Sequence, residues 1–341
     1  MVLTNLIDPR ANNFNLLRLV AASAVVFSHA TDIALGEPDP IEKEIGYSGG
    51  WIAVTAFFCI SGMLIYRSIA KRGNVVNYVA ARCLRIFPGL WVMLILTTVI
   101  LGIFFSTVSV VSYFTSSQVV EYNAGNAVMY VPRYLLPGVF ESNPTPGVVN
   151  GSLWTLRFEF TCYIAVLVLF LLKAYSRERH FLVMLVVYFS VYFGFLALAA
   201  ARGDLDQVLN DGSDLAKLHR LSLAFVIGMI VGRYVDRIRL RGWMVALCGV
   251  AAWATFETPF FVTALTFLIA ALVFWLAFLQ VPWLVPFRRM YDYSYGIYIY
   301  AFPVQQCVAQ IAPGWGPVQN ALLSYAITVP LAALSWHLVE S

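Results

Sequence analysis

The chain has 341 residues, 60% of them hydrophobic and only 12% charged, with a mean hydropathy of +0.77; this balance excludes a soluble globular domain. Its formal charge of +4 comes from basic loops between apolar stretches, so it is no evidence for a nucleic-acid partner. Stretches near the length of a bilayer span recur along the whole sequence, and inside a membrane helices satisfy their own backbone. The expected fold is therefore all-α: a polytopic bundle of about ten transmembrane helices forming one domain over residues 1–341.

The predicted spans run from Phe14 to Thr31, Trp51 to Ile69, Ile86 to Phe105, Leu153 to Leu172, Phe181 to Ala201, Ser222 to Tyr234, Trp243 to Phe256, Phe260 to Leu279, Ser294 to Ile311 and Ala321 to Val339. Between them the charges alternate. Arg10, the group Arg67 to Arg85, Lys173 to Arg179, Arg233 to Arg241, and Arg288 with Arg289 fall on one side. Asp32, Glu37, Asp39, Glu42 and Glu44, and later Asp204, Asp206, Asp211 and Asp214, fall on the other. The positive-inside rule makes the basic side cytoplasmic, which puts both termini in the cytoplasm; the expected location is the cytoplasmic (inner) membrane. The longest outward segment, Ser106 to Ser152, is rich in Pro, Gly and Asn and reads as an ordered external loop or short interfacial helices. No internal repeat is visible, which counts against an inverted-repeat transporter.

Ionisable side chains inside such spans are functional candidates because an unpaired charge in hydrocarbon is costly. Arg18 and His29 share the first span. At about 100° per residue the eleven steps between them leave the two side chains about 20° apart on one stripe and about 16 Å apart along the axis. Ala22 and Val25 lie between them on that stripe and would line a slot. Arg82 and Arg85 are three residues apart, a spacing suited to clamping phosphate oxygens and equally suited to anchoring in lipid headgroups. In the fourth span Thr155, Glu159 and Tyr163 share a face. Glu159 is placed to orient and activate the His29 imidazole, or to pair structurally with Arg157 or Arg133. His180, His219 and His337 sit near span ends. No HxxxH or HExxH pair occurs, so no metal site is expected. Five cysteines, Cys59, Cys83, Cys162, Cys248 and Cys307, lie in or beside apolar stretches and read as unbridged thiols.

Taken together these segments resemble the acyltransferase-3 family of membrane enzymes, which move acyl groups, most often acetyl from acetyl-CoA, onto sugars of surface glycans. The resemblance covers almost the whole chain. It rests on Phe14-Asn15-Leu16-Leu17-Arg18 followed by His29, on Gly49-Gly50, on Phe57-Phe58-Cys59-Ile60-Ser61-Gly62, and on Arg82-x-x-Arg85-Ile86-Phe87-Pro88. Further matches are Leu153-Trp154-Thr155 with Glu159, Tyr293-Ser294-Tyr295-Gly296-Ile297-Tyr298 with Phe302-Pro303, and Trp336-His337-Leu338-Val339-Glu340. It implies that His29 is the catalytic histidine, Arg18 its companion, and Arg82 with Arg85 the contacts for CoA phosphates. One departure is Ala301, where many relatives carry a second histidine before the Phe-Pro pair.

The expected reaction is O-acyl transfer with acetyl-CoA as co-substrate and no tightly bound cofactor. The acceptor is a hydroxyl of a cell-surface glycan or lipid-linked sugar. Arg18, Arg82 and Arg85 hold the phosphates, the pantetheine arm passes beside Ala22 and Val25, and His29 acts as general base, with Glu159 holding the ring; an acyl-histidine intermediate is the variant path. The partners are acyl-CoA, the acceptor and membrane lipids. The competing expectation is a transporter that uses His29, Arg18 and Glu159 as an ion or proton relay.

Overall fold

A computed structural model describes residues 12–203, 212–238 and 240–340. Asp8, Arg10, Asp204, Asp206, Asp211 and Arg239 lie outside the described residues, as do the side chains of Arg72 and Arg289. Every one of the ten apolar stretches is helical: α1 (Phe14–Leu35), α3 (Gly49–Arg72), α4 (Val75–Phe104), α7 (Leu156–Leu171), α8 (Glu178–Arg202), α9 (Asp214–Tyr234), α10 (Gly242–Ala254), α11 (Phe261–Ala277), α12 (Ser294–Ile311) and α13 (Pro317–Ser335). The short helices α2 (Pro40–Ile45), α5 (Val110–Phe114) and α6 (Ser117–Ala127) lie in connections. A 3-10 stretch, Gly151–Thr155, leads into α7. Among the described residues there is no strand, only a lone bridge between Ser106 and Val139.

Seven of these helices are long and apolar enough to cross a membrane, or eight if α11 is joined to Pro282–Arg288, which turns from it by 89°. Two helices start well before the expected residue. The Ser213 side chain accepts the Ala216 backbone N–H and so begins α9 at Asp214 rather than at Ser222; a serine cap outweighs the polar first turns. Similarly, α4 begins at Val75 rather than Ile86, so Arg82 and Arg85 ride on a continuous helix.

The chain divides into two compact units interleaved along the sequence. Unit 1 comprises Met1–Phe14, Thr55–Tyr78 and Phe158–Arg288. Its helices α3 and α9 meet backbone to backbone: a Cβ on Gly62 would sit 2.0 Å from the Phe225 carbonyl oxygen, and one on Gly228 would sit 2.2 Å from that of Cys59. Small residues allow such contact, and in lipid, where apolar burial no longer drives association, close packing supplies much of the attraction. At the end of α11, Asn13 donates to the carbonyls of Leu276 (2.8 Å) and Leu279 (2.9 Å) and accepts from Arg288 Nε (3.0 Å). These bonds occupy groups that a helix terminus leaves without intrahelical partners.

Unit 2 comprises Asn15–Val54, Val79–Arg157 and Arg289–Ser341. It is organised on α12, where 14 of 18 residues are buried. Pro303 cannot donate to the carbonyl of Ile299 four residues earlier; the fully buried Asn150 side chain donates to it instead, at 2.9 Å. The same Asn150 accepts the Ser152 N–H, starting the Leu153-Trp154-Thr155 turn, and Tyr298 of α12 hydrogen-bonds both the Ser152 carbonyl and the Thr155 hydroxyl. Gln306 donates to the carbonyls of Thr145 and Val148 and accepts from Asn143, which fastens the end of the outward segment to α12. Gly296 lets α13 approach, since a Cβ there would lie 2.8 Å from Ala332.

Candidate active site

Unit 2 contains most of the residues to which the sequence assigns chemistry. On α1 the His29 ring is partly exposed and meets the edge or face of Phe302 in a T-shaped contact, with centroids 5.1 Å apart and planes at 73°. Its ring nitrogens make no hydrogen bond among the described residues, so they can serve an incoming hydroxyl. The preceding residue, Ser28, is buried and donates to the Asp39 carboxylate. Asp39 also accepts the backbone N–H groups of Ile41 (2.6 Å) and Gly49 (3.1 Å). It thus caps α2 and ties the first loop to α1.

The loop approaches closely because of the Gly49-Gly50 pair: a Cβ on Gly49 would be 3.2 Å from Asp39 Oδ2, and one on Gly50 would be 3.2 Å from Ser28 Oγ. The sequence places Asp39 only among outward-loop acids. Its role depends on a fold-back over eleven residues from Ser28, and neither charge pattern nor helical spacing records that.

At the other end of α1, Arg18 Nη1 donates to Asp292 Oδ2 at 2.9 Å. Arg85 Nη2 of α4 donates to the same oxygen at 2.8 Å. Two guanidinium groups on different helices therefore converge on one carboxylate oxygen, while the other oxygen, Oδ1, accepts the hydroxyl and N–H of Ser294. Burial on its own would push the Asp292 carboxyl up, but Arg18 and Arg85, with the Ser294 hydrogen bonds, hold it below the usual carboxylate range.

Asn15 steadies this corner by donating to the Met290 carbonyl at 3.0 Å. The Arg85 guanidinium also lies 5.8 Å from the Tyr295 ring centroid and 5.7 Å from that of Trp336. The terminal Trp336–Glu340 turn closes here, with Ser335 donating to Glu340 at 2.7 Å and Tyr293 paired with His337 at 3.1 Å. Arg82 lies one turn before Arg85 on α4 and is half-buried.

Asp292 is the site residue that sequence reasoning missed. It stands just ahead of the Tyr293-Ser294-Tyr295-Gly296 run, and the signal that could have found it is a charge requirement: an arginine inside a span, as Arg18 is, needs a counter-ion. Between the two ends of α1 the expected open slot is absent, because Ala22 is 0% and Val25 3% exposed. Small side chains along a helix stripe let neighbours pack tightly as readily as they leave a passage.

Glu159 belongs to unit 1, where its carboxylate accepts from Ser61 Oγ (3.0 Å) and from the Tyr163 hydroxyl. This joins two of the sequence motifs through Ser61 of α3 and Glu159 of α7. All five cysteines are unbridged, with Cys59 and Cys162 buried.

A partly exposed imidazole thus stands towards one end of α1 and a carboxylate-bridged arginine pair at the other. The chain belongs to the acyltransferase-3 family of membrane acyltransferases, whose Acyltransferase domain matches residues 12–337. It is 31% identical over 337 residues to a protein named O-acetyl transferase from Shigella phage Sf6, covering 97% of this chain and 95% of that one. It is 29% identical over 358 residues to Nodulation protein 10 of Rhizobium leguminosarum bv. viciae, covering 96% and 92% respectively. No solved structure matches the chain.

Proposed function

We propose that this acyltransferase is a membrane O-acetyltransferase that moves acetyl from acetyl-CoA to a hydroxyl of a cell-surface glycan or lipid-linked sugar. The reading takes residues 1–341 as one domain of ten crossings in the cytoplasmic membrane with both termini inside, as the loop charges favour. The observation that carries it is the joint geometry of α1: His29 with unengaged ring nitrogens at one end, and Arg18 converging with Arg85 on Asp292 at the other. The name of the phage relative supports acetyl as the group transferred.

In this reading Arg18, Arg82 and Arg85 hold the CoA phosphates by charge-assisted hydrogen bonds. The acceptor oxygen attacks the thioester carbonyl carbon while its proton passes to a His29 ring nitrogen. The carbon–sulphur bond then breaks, and the thiolate takes that proton to leave as CoA thiol. The Asp39 carboxylate, tied to Ser28 beside His29, favours the protonated ring formed in between. Because Ala22 and Val25 are covered, bringing the thioester to His29 beside them requires that packing to open on donor binding.

The test is transfer of labelled acetyl from acetyl-CoA into membrane glycan by wild type and His29→Ala expressed at equal levels, with CoA binding followed by thermal shift. Lost transfer with retained CoA stabilisation is expected. Equal transfer by both proteins would overturn the role of His29. Absence of any CoA stabilisation would favour the proton-relay alternative, since only a protein that binds CoA gains stability from it.

A further inference from the structure

Unit 1 contains a cavity of about 370 Å³ framed by the end of α3, the start of α8 and the end of α9. Four cationic side chains line it, Arg67, Lys71, Arg233 and Arg237, against two carboxylates, Glu178 and Asp236. None of them belongs to the Arg18–Asp292–Arg85 group. Basic residues at the end of a span are ordinarily explained by solvated positive-inside anchoring. Here that account falls short, because the cations enclose a recess and two of them are fixed in place. Arg67 Nη1 donates to the Gly232 carbonyl at 3.1 Å. Arg233 Nη1 donates to the Tyr66 hydroxyl (3.1 Å) and the Tyr175 carbonyl (3.2 Å), and its guanidinium lies 5.5 Å from the Phe181 ring centroid.

Each guanidinium carries five N–H donors, so these anchoring bonds set its direction without exhausting it. Arg237 is tied to Glu178 at 3.1 Å. Lys71 is exposed and has no ion pair among the described residues. With four cations against two carboxylates the lining carries excess positive charge, which an anion in the recess offsets. At about 30 Å³ per water, the volume suits a phosphate group with a few attached atoms.

We infer that this recess is a second anion site of the protein, built to hold a phosphate group, whether the phosphodiester of an anionic membrane lipid or a soluble phosphate compound. Basic pockets between transmembrane helices at their cytoplasmic ends take acidic lipid headgroups, and the helix ends that frame this one carry the chain's basic loops. The inference stands independently of the acetyl-transfer reading.

The test uses the full chain in detergent, measuring thermal unfolding against phosphatidylglycerol, phosphatidylcholine and inorganic pyrophosphate. The variants are Arg67→Gln/Lys71→Gln, Lys71→Gln alone, and Lys173→Gln/Arg179→Gln, which removes exposed cations that do not line the cavity. Saturable stabilisation of wild type by phosphatidylglycerol but not phosphatidylcholine, with the half-saturating concentration raised at least fivefold in Arg67→Gln/Lys71→Gln and unchanged in the control, is the expected result and assigns a lipid source. The same pattern with pyrophosphate assigns a soluble one. Lys71→Gln, altering an exposed side chain, reports the shift if the double variant fails to fold. No stabilisation by either compound, or equal loss in the control pair, would overturn the site.

Discussion

Helices α8 and α12 both read as membrane spans, yet they have opposite relations to their surroundings. In α8 only four of 25 residues are buried, and the large hydrophobic side chains it exposes are Val, Leu and Phe. In α12 fourteen of 18 are buried, among them Tyr298, Gln305 and Gln306, and the helix is not among the seven long apolar spans. Lipid replaces water around α8, so its exterior must be apolar, whereas α12 is enclosed by protein that supplies hydrogen-bond partners. In this protein the less hydrophobic helix is the interior one, and it is there that Phe302 touches His29 and Asp292 stands one residue ahead of the helix N-cap.

This contrast is sharpened first at the residue α12 packs against. His29→Ala is expected to cut acetyl transfer about a thousandfold, the loss of a general base, with unfolding temperature little changed. Retained transfer would show that the imidazole belongs to the packing alone. Next come the glycines of the two helices. A side chain at Gly296 meets Ala332 at 2.8 Å, whereas nothing lies within 4 Å of a Cβ at Gly194 on α8. Gly296→Val should therefore cost about 3 kcal/mol by overpacking, read as a fall in unfolding temperature. If it is neutral, the packing of α12 against α13 is looser than described.

Asp292→Asn tests the charge at the head of α12. The expected loss is about 2 kcal/mol, less than outright removal of a buried partner because Asn keeps an acceptor oxygen. The sign with pH follows from the lowered carboxyl. In the folded chain Asp292 stays ionised to lower pH than in the unfolded chain, so its stabilisation is complete above the ordinary carboxylate range and disappears as pH falls through the folded value. Acid unfolding curves of wild type and Asp292→Asn should therefore converge at low pH; a constant gap would remove the charge from the account. Glu159→Gln removes the charge that Ser61 and Tyr163 hold while leaving both an acceptor oxygen, and should lower transfer about tenfold. Smallest of all, Gly194→Ala should be neutral or stabilise α8 by about 0.5–1 kcal/mol, measured by thermal unfolding.

Much of the fold was legible in composition and spacing. The ten apolar stretches announced ten helices, since a backbone in lipid must bond within its own segment. Helix starts were less legible. Ser213 and the basic turns at Val75 to Arg85 extend helices beyond the apolar window, because capping and a solvated first turn sustain a helix without hydrophobicity.

At the site, the sequence by itself determined which groups are unusual: Arg18, His29, Arg82, Arg85 and Glu159 stand out because charge is rare in apolar segments, and the first helix's period put Arg18 and His29 on one stripe. Tertiary structure alone decided what each one faces. It joined Arg18 to Asp292 across 274 positions of chain, brought Arg85 to the same oxygen from another helix, folded Asp39 back onto Ser28, and closed the stripe at Ala22 and Val25. Helical periodicity is a local property fixed by the backbone, whereas the partner of a charge is set by which helices pack together, and that information is distributed over the whole chain.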